Sequence, residues 1–494
     1  MPERHLAHVD LLVLVAYLAA VIGLGVWFSR RQGGTDDYMS ASRSLPGWAV
    51  GLSMFGSYVS SISFLANPGK SYSSNWNALA FSLATPIAAA VAVRWFVPFF
   101  RRSGEVSAYE HLEHRFGPWA RTYAVSCFLL YQMARMGTVV LLLGMAVAPL
   151  TGWSVSSTIV GTGALMTLYT MAGGISAVVW IGAMQSMVLV AGTAACLLAV
   201  IMKAPGGVRE IIETGVEFEK FSLGDFGPSL AKPTFWVIFV YGIVINLSNF
   251  ATDQSYVQRY LTARDDREAA KSVWLTAGLY LPTSAVFFFI GTAMFVFYRD
   301  QPALLDGITQ ADRIFPHFIA TQLPAGLAGL VVAAIFASSM DSNLNSMATL
   351  TLCDIYKRYL RPGAGEHESL RVLQLSTLGW GIAGTAMGLA MIHVESALEA
   401  WWDLAGLFSG GVVGLFLLGL MTRANNAAGL IGAVAGLLVI AWMMLPRLVN
   451  VPEQFRSPLN SHLTIVAGTL TIFLVGLGVS RLFGQREPDA SIEH

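Results

Sequence analysis

The chain has 494 residues, with 30 Lys and Arg balanced by 30 Asp and Glu, 55% hydrophobic and only 12% charged; its mean hydropathy is +0.59. Soluble globular domains do not have this composition, and a net charge of zero argues against a nucleic-acid partner. What remains is an integral membrane protein built from apolar helices.

Thirteen apolar runs long enough to cross a bilayer follow along the chain, at about 9–29, 46–66, 77–100, 119–149, 154–172, 175–201, 234–258, 273–298, 325–353, 371–393, 400–421, 427–447 and 461–483. Arg30 and Arg31 follow the first, while Glu3 and Asp10 dilute the charge ahead of it. That order suits a retained helix better than a cleaved leader. The second, PGWAVGLSMFGSYVSSISFLANPGK, mixes Gly51 and Gly56 with Ser53, Ser57, Ser60, Ser61 and Ser63. Two readings stand level there. Unwinding near Gly56 to Ser60 would free carbonyls for a cation and hydroxyls for a solute. Alternatively, the small residues allow close packing and the serines bond back to their own helix.

The third and fourth runs each carry an arginine in their interior, Arg94 and Arg135. Arg94 lies near the end of its run and can snorkel, whereas Arg135 sits in the middle of FLLYQMARMGTVVLLLG. A charge is expensive there, and its planar fork suits a carboxylate. Contact with a solute or ion is the favoured reading, against a structural arginine satisfied by carbonyls or by an acid on a neighbouring helix. The seventh run, FWVIFVYGIVINLSNFATDQSYVQRYL, repeats the polarity of the second with Gly242, Asn246, Ser248 and Asn249. Two interrupted, polar helices at corresponding places in successive halves point to a transporter built from inverted repeats. Asn246 and Asn249 share a face and suit either a polar solute or another helix.

The ninth run ends in VVAAIFASSMDSNLNS, which crowds Ser338, Ser339, Asp341 and Ser342 into little more than one turn. A carboxylate near a membrane-helix centre costs roughly 2.5–3.5 kcal/mol on the mildest scale, so something polar must offset it. Hard oxygen ligands without thiol or imidazole, carrying one negative charge, suit a small monovalent cation. This run therefore reads as a sodium-binding helix. Cys127, Cys196 and Cys353 stand singly in apolar segments and read as packing residues. With no HExxH, GxSxG or paired cysteines, a membrane enzyme has no visible machinery. If the N-terminus lies outside, 18 Lys and Arg fall on inner segments and 10 on outer ones. The positive-inside rule thus places the N-terminus outside and the C-terminus in the cytoplasm.

TDDYMSASRSLPGW at 35–48, SAYEHLEHRF at 107–116, MAGGISAVVW at 171–180, DQSYVQRYL at 253–261, AAIFASSMDSNLNS at 333–346, DIYKRY at 354–359 and GLFSGGVVGLFLLGLMTRAN at 406–425 form an ordered motif set. On these motifs the chain resembles the sodium:solute symporter family, and within it the bacterial sialic acid and sugar symporters. The resemblance implies an all-α integral membrane protein of the LeuT type with about 13 transmembrane helices. Ten core helices would form two inverted five-helix repeats, at 46–201 and 234–421. An extra N-terminal helix at 9–29, extra C-terminal helices at 427–483 and a cytoplasmic tail at 484–494 complete one transporter domain.

The resemblance also implies a sodium site made by carbonyls of Gly56, Val59 and Ile335 and hydroxyls of Ser338 and Ser339, holding one of one or two sodium ions, with no organic cofactor. Around the solute it places Ser60, Ser63, Ser82 and Arg135, with Asn246 at a sugar-contacting position and Asn249 near the inner gate. In VVWIGAMQ, Gly182 stands where many members carry aspartate, while Asp341 takes a place where relatives use Ser or Thr. Ser338, Asp341 and Ser342 are accordingly a candidate second cation or proton site; the alternative is that Asp341 pairs with an arginine. Tyr58, Ala78 and Ser82 also depart from the sialic acid branch.

The expected function is sodium-coupled secondary active symport of a small organic solute by alternating access across the plasma membrane, the inner membrane of a bacterium. A carboxylate-bearing sugar acid such as sialic acid comes first as solute, a neutral sugar or polyol second. An organic anion and the lipid bilayer are then the partners, without nucleic acid or an obligate protein partner. A passive channel and a transporter-like sensor are the competing classes; uphill, sodium-dependent uptake would exclude both.

Overall fold

The computed structural model describes residues 7–30, 35–305, 308–337, 341–409, 411–448 and 451–483. Backbone polar groups have no partner in hydrocarbon, so apolar runs close their hydrogen bonds within themselves as helices. Among the described residues seven helices are long and apolar enough to span a membrane, or ten if each of three bent pairs is one span. The remaining expected runs fall on the shorter apolar helices Val155–Leu168 and Leu327–Phe336 and on Glu366–Ala390. The one extended pairing among these residues is an isolated bridge between Leu45 and Ala263.

Helix α1 (His8–Ser29) lies against two later helices, α6 (Val155–Lys203) and α10 (Leu327–Ala337). Asp10, read from sequence as a flanking charge, is buried there and accepts from the amides of Gly326 at 2.6 Å and Gly329 at 2.7 Å. Helix α2 (Gly47–Tyr58) stops at Val59, whose φ −82 and ψ 69 leave the helical region. Its continuation, α3 (Asn67–Ser73), departs at 54°. The chain then returns through α4 (Trp76–Ser103) and α5 (Pro118–Thr151). Gly174, at φ 59, divides α6 into two arms, matching the separate runs at 154–172 and 175–201. Only a residue without Cβ enters that conformation cheaply.

The second half repeats the pattern. Helices α7 (Phe235–Ala251) and α8 (Gln254–Leu261) meet at 47°, with Asp253 capping α8 through the Ser255 amide at 2.7 Å. There follow α9 (Asp266–Asp300), α10, α11 (Asp341–Leu350) and α12 (Glu366–Ala390). Helices α13 (Ala397–Phe408) and α14 (Val412–Met421) form the third bent pair. A paired hairpin, α15 (Asn426–Leu448) and α16 (Thr464–Phe483), ends the described chain.

Helices α6 and α9 flank α2. The approach is close because it is made by glycine: a Cβ on Gly182 would stand 2.5 Å from Ser53 Oγ, and one on Gly56 would stand 2.5 Å from Ser186 Oγ. One end of the bundle carries Arg43, Arg101 and Arg264 and is tied shut. There Arg101 Nη1 donates to the Ala263 carbonyl at 2.8 Å, and Arg121 pairs with both Asp354 and Glu113. The Tyr109 hydroxyl reaches the Thr252 carbonyl at 2.8 Å, and Gln254 Nε2 the Val106 carbonyl at 2.8 Å. At the opposite end Lys70 on α3 pairs with Glu399 on α13 at 2.8 Å.

Candidate functional site

The breaks do not scatter the polar residues; they converge on one cavity halfway through the bundle. Tyr58, Ser60 and Ser63 come from the break after α2, Phe81 and Ser82 from α4, Arg135 from α5, Asn249 from α7, and Tyr280 from α9. Leu398, Trp401 and Trp402 of α13 cover the remaining side. Five of the six expected solute residues therefore line one cavity: Ser60, Ser63, Ser82, Arg135 and Asn249.

The sixth, Asn246, lies behind that wall and is fully buried. Its Nδ2 donates to the Phe81 carbonyl at 2.9 Å, and its Oδ1 accepts from the Tyr58 hydroxyl. Tyr58 is the reason. It stacks on Phe250 with ring centroids 5.2 Å apart and meets Tyr280 edge-on at 4.7 Å, so an aromatic floor separates Asn246 from the cavity. The sequence marked Tyr58 as a departure without showing where it points.

Arg135 is 5% exposed. One guanidinium nitrogen, Nη2, donates to the Ser57 carbonyl at 2.7 Å and to the Tyr256 hydroxyl at 3.3 Å. The other, Nη1, is buried without a hydrogen-bond partner among the described residues, and no ion pair is made there. Among the described residues one carbonyl is used, no acid is engaged and one donor is left over. A buried cation with an unused donor beside a polar cavity is complementary to an anion. Arg94, by contrast, is exposed, as snorkelling requires.

The expected sodium ligands divide between described and undescribed residues. Gly56 and Val59 close the last turn of α2, where a helix end leaves carbonyls without amide partners. Ile335 is buried near the end of α10. Ser338 and Ser339 lie outside the described residues, as does the side chain of Asp341. Ser342, one residue on, donates to or accepts from Ser57 Oγ at 3.0 Å, which sets the first turn of α11 against the last turn of α2.

Ser57 Oγ in turn accepts from Arg259 Nη2 at 2.7 Å, and Arg259 Nη1 donates to the Ser53 carbonyl at 3.0 Å. Arg259 is fully buried. In sequence it stands just past the end of its run and reads as an inner-loop charge; α8 instead carries it inward against α2. Its charge is two hydrogen bonds from Ser342 and beside the contact of Gly182 with Ser53. Asp253 is a second buried charge here, one that a tally of basic residues does not reveal. It is 4% exposed at the break between α7 and α8.

The sequence pattern of the Sodium:solute symporter family matches residues 38–439. The chain is 33% identical to the sodium/sialic acid symporter SiaT of Proteus mirabilis, over 95% of this chain and 94% of that one. It is 32% identical to the sodium/sialic acid symporter NanT of Aliivibrio fischeri, over 98% and 95%. Among solved structures, the substrate-bound outward-open state of a Na+-coupled sialic acid symporter superposes with TM-score 0.89 at 30% identity, covering 97% of this chain and 99% of that one.

Proposed function

The chain belongs to the sodium:solute symporter family, and from that premise we propose that it couples inward sodium flow to uptake of a carboxylate-bearing sugar acid such as sialic acid. It is a multi-pass membrane transporter of the LeuT-type fold, not an enzyme. The observation that carries the solute class is buried Arg135, whose Nη1 has no partner among the described residues and which lines one cavity with Ser60, Ser63 and Ser82. A carboxylate would complete the guanidinium, and the serines would meet hydroxyls of the sugar ring.

In this reading sodium sits between the α2 break and α10, on the carbonyls of Gly56, Val59 and Ile335 and the hydroxyls of Ser338 and Ser339. Binding there joins the first inverted repeat, 46–201, to the second, 234–421, and favours the state that accepts solute from outside. Closure of α13 over the cavity and opening of the network around Arg121 then release both. One sodium ion moved down a 100 mV potential releases roughly 2.3 kcal/mol, which inward movement of a monovalent anion consumes in full, so with one ion the sodium concentration gradient drives accumulation and a second ion adds the potential. Asp341, with Ser338 and Ser342, supplies a second cation or a proton site, its charge compensating Gly182. The basic end faces the cytoplasm, in a bacterial inner membrane.

The test is uptake of labelled sialic acid into proteoliposomes under an inward sodium gradient. We expect accumulation in sodium and none in potassium, with a steepness in sodium that falls in Asp341→Asn. Equal uptake in potassium would refute symport. Unchanged steepness in the variant would remove Asp341 from the cation set and leave the rest standing.

A further inference from the structure

A second, smaller cavity lies one turn of α5 nearer the basic end than Arg135, lined by Tyr109, Tyr131, Ser248, Thr252, Asp253 and Ser409 among others. We propose that this cavity is a second cation station, at which a sodium ion is held by Asp253 on its way to the cytoplasm; the inference rests on the symport reading above.

Three of the lining hydroxyls have their protons already committed. Thr252 Oγ1 donates to the Ser248 carbonyl at 3.0 Å, Ser409 Oγ to the Ala405 carbonyl, and the Tyr109 hydroxyl to the Thr252 carbonyl at 2.8 Å. These hydroxyls retain lone pairs and no free proton, so they serve a cation and not an anion. Two helix C-termini point at the same place: Thr252 is the C-cap of α7 and Ser409 the C-cap of α13. Each adds partial negative charge.

Asp253 supplies the full charge. Its Oδ2 accepts from Gln132 Nε2 at 2.8 Å and its Oδ1 from the Ser255 amide at 2.7 Å, leaving about two lone-pair positions of an ionised carboxylate unused. Among the described residues it makes no ion pair; the nearby guanidinium of Arg135 bonds Ser57 and Tyr256 instead. Tyr131 is 7% exposed and its buried hydroxyl has no hydrogen-bond partner among the described residues. A buried carboxylate and an unpartnered hydroxyl over a cavity of acceptors leave one component missing, and a small hard monovalent cation supplies it. The cavity lies between the main site and the basic end, so an ion released inward meets it next.

The plain alternative is that Asp253 only caps α8 and orients Gln132. Asp253→Asn separates the two, because asparagine caps as well as aspartate but carries no charge. Equilibrium binding of radiolabelled sodium to the purified full-length chain, without solute, should show one ion per chain fewer in Asp253→Asn than in wild type. Tyr131→Phe and Ser409→Ala should keep the count and weaken that same ion about tenfold, as loss of one ligand in a set does. Equal counts and affinities in all three variants would overturn the station. No sodium binding by the wild-type protein would overturn the symport reading itself, and a fall in solute affinity with sodium binding intact would make Asp253 a positioning residue for Arg135.

Discussion

At the scale of single residues, the proposed solute class rests on Arg135. Its position was legible because an arginine in the middle of an apolar run is costly enough to demand a reason. Which reason was not legible, since the partners of a guanidinium come from other helices: here the Ser57 carbonyl, the Tyr256 hydroxyl and, for Nη1, nothing among the described residues. Arg135→Ala should abolish thermal stabilisation by sialic acid while sodium still stabilises; Arg135→Lys, which keeps charge but loses the fork, should retain a weak response. Losing one partner of a buried charged pair costs about 2–5 kcal/mol, so a loss of under threefold in the alanine variant would favour the neutral-sugar reading. Asn246 carries the opposite lesson. Its type and spacing suited a solute contact, yet Tyr58 and Phe81 take up its side-chain amide.

At the scale of elements, the breaks position the site and the caps hold the breaks. Helix α13 covers the cavity with Trp401 and Trp402, and its first turn is fixed from outside the membrane spans. Asp312 Oδ2 accepts the Ala397 amide at 2.7 Å, Ser396 caps the Glu399 amide, and Glu399 pairs with Lys70 of α3. Burial pushes the Asp312 carboxyl up to about 6, against the opposing effects of the Ala397 amide and Lys70. A carboxyl raised on folding favours the protonated folded state, so its contribution is complete below pH 3.8 and is lost as pH climbs through about 6. Asp312→Asn should therefore gain on wild type as pH rises from 4 to 7, by of the order of 2–3 kcal/mol. Thermal unfolding in detergent across that range checks it; a difference that stays flat with pH would show that the carboxyl is ionised throughout.

At the scale of the whole molecule, the charge asymmetry gives an orientation that labelling can test. A membrane-impermeant maleimide should reach a cysteine placed at Arg456 from outside intact cells, and one placed at Arg264 only after lysis; the reverse pattern would invert the topology. The class of protein was set by the sequence alone, because run length and hydropathy are local properties that a bilayer reads directly. The polar runs that would break were equally visible: glycine and serine clustered in the second and seventh runs, where bends of 54° and 47° occur. What lay beyond the sequence was which polar groups share a space. Arg259 and Asp253 stand near the end of a run and read as loop or cap, but α7 and α8 meet inside the bundle, so both are buried. Facing depends on the angle of each break and on contacts as close as Gly182 against Ser53, between residues more than a hundred positions apart. Chain composition therefore determined that this protein crosses the membrane and where it is polar. Only the packing of the helices decided which of those polar atoms meet, because side chains distant in sequence become neighbours through three-dimensional contact alone.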